Sequence, residues 1–255
     1  MEKRSLAGAF ARIDRADRHI DELKLLIEGY RKLQEEKFIA DQKAINMRMN
    51  QLFRYSPGDK ISSRFRSKLL PDFPLDAAVI VGEVIYNLRA ALDYLIYELA
   101  WHDSGSEKHG TQFLIEKERV NRKDPDRGFL PRSKTCLAGL HQHHIDAIET
   151  LQPYKGCTWT KTLKSISNPD KHRRLTAVGG TVEATTVVEH GIRGSLDDRS
   201  GQILRGVAAS DTDTHIDLQY ALKVTLPDGT DIVKPLEILK REVRATLDAF
   251  QPEFK

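Results

Sequence analysis

The sequence has few cysteines and no long apolar run, and both absences exclude classes of protein. Its two cysteines, Cys136 and Cys157, form neither a metal-ligand spacing nor a disulfide framework. Charged residues interrupt the apolar stretches before any reaches the roughly 20 residues of a membrane span. The N-terminal segment also lacks the apolar run of a secretory signal peptide. We therefore expect a cytoplasmic protein with no membrane partner.

A strong excess of one charge is missing as well. The chain carries 40 basic and 37 acidic residues, a formal net charge of +3. A surface dedicated to nucleic acid would show a larger basic excess or a clear basic stripe. There is no GxGxxG motif and no Walker-type loop, so nucleotide binding of those kinds has no support. The 255 residues, 40% of them hydrophobic, are nevertheless enough to form a buried core.

Residues 1–53 are predicted to form a long N-terminal helix. Ile13, Ala16, Ile20 and Leu23 recur at steps of three and four, which places them on one stripe. The stripe is narrow and the remaining faces are charged. This pattern fits either packing against the rest of the same chain or the seam of a dimer.

The rest of the chain is predicted to be a connector at 54–75 and an α+β core domain at 76–255. Proline and glycine break the connector, and the core begins with helical periodicity and ends with strand-like alternation. That order favours an α+β fold over a doubly wound parallel sheet. The predicted elements are helices at 76–101, 137–151, 159–167 and 235–250, a short strand at 111–115, and an antiparallel sheet over about 174–233.

Two polar segments are the candidates for a functional surface, and the first lies on the central helix. Arg89 and Asp93 are four residues apart and can pair directly, with Asn87 nearby. This pattern fits either a surface ion pair or an arginine that a carboxylate holds at a cleft.

The second segment is a run of six residues: Asn168, Pro169, Asp170, Lys171, His172 and Arg173. Pro169 is predicted to end the preceding helix, and its polar neighbours can cap the next element. Capping does not account for Lys171, His172 and Arg173 together. A histidine between cations suits phosphate chemistry, in which the cations hold phosphate and the histidine moves a proton. It suits simple anion binding equally well.

A third polar run, His141-Gln142-His143-His144, invites a metal interpretation. Histidines at i and i+3 can share a helix face, but Asp146 is the only further ligand type at an obvious spacing. Surface histidines without metal are the more frequent outcome. We therefore predict neither a metal nor a cofactor.

Four motifs, in this order, resemble a widespread bacterial family of uncharacterised proteins. The family carries HNLRSALDH, TxFPI, QPY and NxDKHR. In this chain Tyr86 and Tyr94 stand in place of two histidines, and Leu114 stands in place of a proline. The resemblance implies a bacterial protein but no particular activity. The matching stretches are NLRAALDY at 87–94, TQFLI at 111–115, LQPY at 151–154 and NPDKHR at 168–173.

A weaker resemblance is to the HEPN superfamily of helical ribonucleases. Those enzymes use an arginine and a histidine, usually as R-x4–6-H on one helix, and they act across a dimer without metal. Arg89 has no histidine at that spacing. Its partner here would be His172, from a different segment.

The sequence thus supports two functional hypotheses. The first is a binding or assembly module that forms a homodimer through its N-terminal helix. Its polar cluster binds RNA or another phosphate-bearing ligand, or ties the core together with Arg89 bonded to Asp170 or to backbone carbonyls.

The second hypothesis is a metal-independent ribonuclease or related phosphoryl-transfer enzyme, of a kind that fits stress response or phage defence. The histidine moves the proton, the three cations stabilise the developing charge, and the remaining polar groups orient them. The residues assigned to catalysis are His172, Arg89, Lys171 and Arg173, and the supporting residues are Asn87, Asp93, Asn168 and Asp170.

Overall fold

The computed structural model describes most of the chain. Its described residues are 4–52, 60–67, 74–172, 179–189, 194–197, 203–209, 213–218, 221–225 and 231–254. Side chains are described at 4–33, 36, 74–167 and 231–254.

The chain divides into two compact units. The helical unit comprises Met1–Leu23, Asp76–Ala177 and Val233–Lys255. The second unit comprises Lys24–Leu75 and Val178–Ile232. The candidate site residues on the central helix all belong to the helical unit.

Six α-helices lie in the described part of the chain. The first, α1, contributes to both units, and the other five contribute to the helical unit. Two short 3-10 turns follow α4 and α6, at Pro153–Lys155 and Gln251–Phe254. The helices are α1 at Ala7–Leu52, α2 at Leu75–Ser104, α3 at Phe129–Cys136, α4 at Gln142–Thr150, α5 at Thr158–His172 and α6 at Val233–Phe250.

Helix α2 forms the centre of the helical unit. Asp76 lies in its first turn, where a negative charge stabilises the helix N-terminus. Leu88, Leu92, Leu95 and Leu99 follow one another at steps of three and four and are fully buried. Removing the apolar surface of these side chains from water supplies the main driving force for folding of the helical unit.

The first half of α1 is part of the same core. Ile13, Ala16, Ile20 and Leu23 are all buried within this chain. For this half of the helix, the apolar stripe is therefore used in packing inside the chain. Arg12 also donates a hydrogen bond from Nη1 to Asn87 Oδ1 on α2, over 3.3 Å.

Helix α6 returns to the helical unit and packs beside α1. Its buried residues include Leu239, Val243 and Leu247, which share one face. Lys240 pairs with Asp17 of α1, so charges at the edge of the contact support the apolar packing.

The strands lie in the second unit and form two antiparallel three-stranded sheets, in the orders β1-β2-β6 and β3-β4-β5. They are β1 at Lys60–Ser67, β2 at Gly179–Glu189, β3 at Gly194–Asp197, β4 at Ile203–Ala209, β5 at Asp213–Leu218 and β6 at Ala221–Thr225.

The predicted α+β fold class is wrong. Helices build the unit that carries the candidate site, and no residue whose side chain is described lies in a strand. Strand-like alternation is a local property and does not reveal which core a segment joins. Here the core around α2 is completed by α1 and α6, which are distant from it in sequence.

Two predicted elements within the helical unit are also corrected. Residues 111–115 form no strand, because side chains bond their backbone in place of a neighbouring strand. Helix α5 continues through Pro169 to His172, although a proline removes one helical hydrogen bond. That bond would have ended on the carbonyl of Ser165, an exposed residue where water can replace the lost donor.

No helix in the described ranges is both long and apolar enough to cross a membrane.

Core packing around α2 predicts a large difference between two leucines of this helix. Leu95 is fully buried, whereas Leu75 is 70% exposed. We expect Leu95→Ala to lower the free energy of unfolding by about 3 kcal/mol, because it removes buried methylene groups and leaves a cavity. The matched control Leu75→Ala should change it by less than about 0.5 kcal/mol. Urea denaturation measures both, and equal effects would contradict the central position of α2.

Candidate functional site

Arg89 and Asp93 lie one turn apart on α2 and bind the same residue of a neighbouring segment. Arg89 Nη2 donates to the carbonyl oxygen of Phe113 over 3.1 Å. The Phe113 N–H donates to Asp93 Oδ1 over 2.8 Å. The two side chains thus satisfy both peptide groups of Phe113, as a neighbouring strand would do.

Two further side chains extend this pattern along Thr111–Glu116, which we call the clamped segment. Gln152 donates from Nε2 to Leu114 O over 2.9 Å and accepts the Glu116 N–H at Oε1 over 2.8 Å. Lys164 donates from Nζ to Ile115 O over 2.5 Å. Five backbone groups of the clamped segment are therefore bonded to side chains from three separate parts of the chain.

Three of the four sequence motifs are separate in the sequence but meet at the clamped segment. The motif at 87–94 supplies Arg89 and Asp93, the motif at 111–115 is the segment itself, and the motif at 151–154 supplies Gln152. Phe113 is 1% exposed and Gln152 is fully buried. Their polar contacts lie in the interior, where unpaired peptide groups cost the most.

Arg89 is held in a partly desolvated position. Burial lowers the pKa of Arg89, and the nearby Asp93 carboxylate opposes that change. A guanidinium nevertheless stays protonated in proteins at neutral pH. The Arg89 side chain therefore places a positive charge in a poorly hydrated region next to the clamped segment.

A small pocket opens beside Arg89. Arg89 Nε is buried and has no hydrogen-bond partner among the described residues. Tyr86 and Tyr94 stand on the same wall and are 57% and 40% exposed. Apolar, aromatic, cationic and carboxylate groups thus meet at one opening. The pocket is lined by Ile85, Tyr86, Arg89, Ala90, Asp93, Tyr94 and Ser167.

Asn87 is not part of this wall. Its Oδ1 accepts from Arg12, and its Nδ2 donates to Glu83 O over 2.8 Å. Asn87 is 2% exposed and joins α1 to α2. The guanidinium of Arg12 lies 5.8 Å from the centre of the Tyr86 ring and 5.6 Å from that of Tyr94.

The second predicted part of the site falls only in part within the described residues. Ser167 of α5 lines the pocket, and the backbone of α5 continues to His172. Lys171 therefore follows Ser167 by one helical turn. The predicted joint site with Arg89 stays a prediction. The side chains of Asn168, Asp170, Lys171 and His172, and the whole of Arg173, lie outside the described residues.

Sequence reasoning missed the contributions of Gln152 and Lys164. Gln152 belongs to the motif at 151–154, but no local pattern indicates that its amide is buried. Lys164 lies in a helix with ordinary surface composition, and only the fold brings its amine to Ile115 O.

The histidine run also differs from expectation, because His144 is 2% exposed and not a surface residue. Its Nδ1–H donates to Asp103 Oδ2 over 2.6 Å. Burial raises the pKa of Asp103, but hydrogen bonds from the His141 N–H and from the rings of His144 and His102 outweigh it. The pKa of Asp103 therefore lies below its usual value. Asp103 is 38 residues from His141 in sequence, so no local spacing pointed to it.

The clamped segment predicts that Gln152 is important for stability. Gln152→Ala leaves the Glu116 N–H and the Leu114 carbonyl buried without partners. We expect the free energy of unfolding to fall by about 2–4 kcal/mol. The control is Gln142→Ala, which removes an exposed amide paired with Asp146. The control should cost less than about 0.5 kcal/mol in the same urea titration, and an equally small loss at Gln152 would contradict the clamp.

Comparisons of the chain with protein-family models, with curated proteins and with solved structures found no match. The two family resemblances read from the motifs therefore stay predictions.

Proposed function

We propose that the helical unit is a binding module that takes a phosphate-bearing ligand in the pocket beside Arg89. The observation that carries this proposal is the state of Arg89. One end of its guanidinium is anchored on Phe113 O, its Nε is buried without a described partner, and the residue lines the pocket. A buried donor without an acceptor is costly, and a ligand oxygen would remove that cost.

The rest of the wall favours a ligand with both an anionic and a flat apolar part. Tyr86 and Tyr94 offer exposed rings on which a base can stack, and Ile85 and Ala90 offer apolar surface. The planar guanidinium group of an arginine matches the geometry of a phosphate better than the ammonium group of a lysine does. A nucleotide unit of single-stranded RNA combines these features.

Asp93 limits which anions fit this pocket. Its carboxylate lies on the same wall as Arg89, and its Oδ1 already accepts from Phe113 N–H. A second negative charge close to this carboxylate is repelled. The pocket therefore favours a phosphodiester, with one charge per phosphate, over a doubly charged free phosphate.

We also propose that two copies of the chain form a homodimer in the cytoplasm. The apolar stripe of α1 up to Leu23 is buried within the chain, so a homodimer through the N-terminal helix would use its later part. The proposed binding or assembly module thus both binds a phosphodiester and forms a dimer.

The second candidate function is a metal-independent ribonuclease that uses the same pocket. It is favoured by the course of α5, which lines the pocket at Ser167 and continues to His172. In this scheme His172 takes the proton of the attacking ribose 2′-hydroxyl and returns it to the departing 5′-oxygen, so the phosphorus–O5′ bond breaks as the new phosphorus–O2′ bond forms. Arg89 and Lys171 stabilise the developing charge on the phosphate.

Blocking the pocket should weaken ligand binding without loss of stability. Ala90→Leu adds volume to the pocket wall and removes no polar group. We expect it to weaken binding of a short oligouridylate at least about tenfold, or about 1.4 kcal/mol. The matched control Ala245→Leu makes the same change on an exposed position of α6 and should leave affinity unchanged. Isothermal titration calorimetry and a thermal melt check both variants. Absence of binding by the unmodified chain would contradict the proposal.

The ribonuclease candidate is tested by RNA cleavage in EDTA. If it is correct, the unmodified chain cleaves RNA without metal, and His172→Ala lowers the rate by about 10²–10⁴-fold with an unchanged melt. His109→Ala, at an exposed loop histidine, is the control and should cleave normally. If the chain binds the oligouridylate but does not cleave it, the binding module stands and the enzyme is excluded.

A further inference from the structure

A second polar cluster lies apart from the Arg89 pocket, where the end of α2 meets the start of α4. It contains His141, His143 and His144, and each offers one ring nitrogen such that the three atoms lie within 4.8 Å of one another. The ring centroids of His143 and His144 are 4.0 Å apart. Three imidazoles at such separations can converge on one ion by small rotations, because His141 and His143 are exposed.

Asp103, at the end of α2, organises this cluster. Its side chain is fully buried, and its Oδ2 accepts from His144 Nδ1–H over 2.6 Å and from the His141 backbone N–H over 2.7 Å. The ring Nδ1 of His141 lies 3.4 Å from Asp103 Oδ1. A buried carboxylate that accepts from histidine Nδ1–H fixes the tautomer and leaves the lone pair on Nε2.

The Nε2 atom of His144 is left without a hydrogen bond in the described part of the chain. It is buried, and the His144 side chain is only 3% exposed. Glu253, in the turn after α6, places its Oε2 3.7 Å from this nitrogen. That distance is too long for a hydrogen bond. It is close to the roughly 3.4 Å that separates two tetrahedral ligands about 2.1 Å from a shared zinc ion.

We propose that His141, His143 and His144 bind a divalent transition-metal ion of the zinc class, with Glu253 as the fourth ligand and Asp103 as the residue that orients the imidazoles. Metal-ligating histidines commonly donate their second ring N–H to a carboxylate, as His144 does here. Imidazole ligands favour zinc, copper, nickel and iron over magnesium or calcium, and three histidines with one carboxylate suit tetrahedral zinc.

A network of histidines without metal explains the contacts of Asp103 but not the buried, unpaired Nε2. An ion at this position supplies the missing partner. It also joins the start of α4 to the 3-10 turn that follows α6, two parts of the chain that are distant in sequence. Metal binding would therefore raise the thermal stability of the folded chain by mass action.

The test uses the full chain stripped of metal with EDTA and dialysed into metal-free buffer. Titration with Zn²⁺ by calorimetry is expected to give one ion per chain and an upward shift of the melting temperature. Co²⁺ as a spectroscopic probe is expected to give the intense visible absorption of tetrahedral coordination. Weak uptake of several ions per chain would indicate adventitious binding to surface imidazoles and would overturn the proposal.

Single substitutions distinguish a specific metal site from nonspecific binding of ions to surface imidazoles. His143→Ala changes an exposed residue and is expected to weaken Zn²⁺ binding more than about tenfold while preserving the metal-free melt. Asp103→Asn should weaken it about 10–100-fold through the orientation of His144. His109→Ala is the matched control at an exposed histidine outside the cluster and should bind normally. If His143→Ala binds Zn²⁺ as the unmodified chain does, the proposed site is wrong.

The fourth ligand is tested in the same way. Glu253→Gln keeps the size of the side chain and removes its charge, so it should weaken Zn²⁺ binding and change the Co²⁺ absorption. An unchanged affinity and an unchanged spectrum would overturn the assignment of Glu253.

Discussion

The hydrogen bonds of the clamped segment are the constraint on which the helical unit depends. An extended backbone that enters a core exposes N–H and C=O groups that must find partners, and a neighbouring strand usually supplies them. Here Arg89, Asp93, Gln152 and Lys164 supply them. Because these side chains come from α2, from the segment that follows α4 and from α5, the same bonds also hold those parts of the chain together. In this network the four side chains pair five backbone groups of the segment, and Arg89 Nε is the group left without a described partner.

Arg89 has a place in both the fold and the pocket. Its bond to Phe113 O holds the guanidinium in position, so a ligand would meet a cation that needs no further ordering. The same bond means that replacing Arg89 changes stability and affinity together. The wall residue Ala90 separates these effects, because it lines the pocket without taking part in the hydrogen bonds of the segment.

Both candidate sites depend on α2. The Arg89 pocket lies along its middle, and Asp103 near its end organises the histidines at the start of α4. In each case a charged side chain of the central helix bonds a segment that is distant in sequence. Arg89 and Asp93 do so with an exposed opening beside them, whereas the Asp103 side chain is fully buried.

The periodicity of the sequence by itself determined helices α1 and α2, since apolar residues at steps of three and four leave one face that must be buried. Pro235, a residue type favoured in the first turn of a helix, indicated α6. The sequence also placed Arg89 and Asp93 one helical turn apart on α2. The sequence could not determine that residues 111–115 lie in no strand, or that α1 and α6 contribute to the core around α2. The side chains that bond the backbone of residues 113–116 lie between 20 and 49 positions away in sequence. The tertiary structure decided these features, because hydrogen bonding and burial between distant residues leave no periodic signal in the chain.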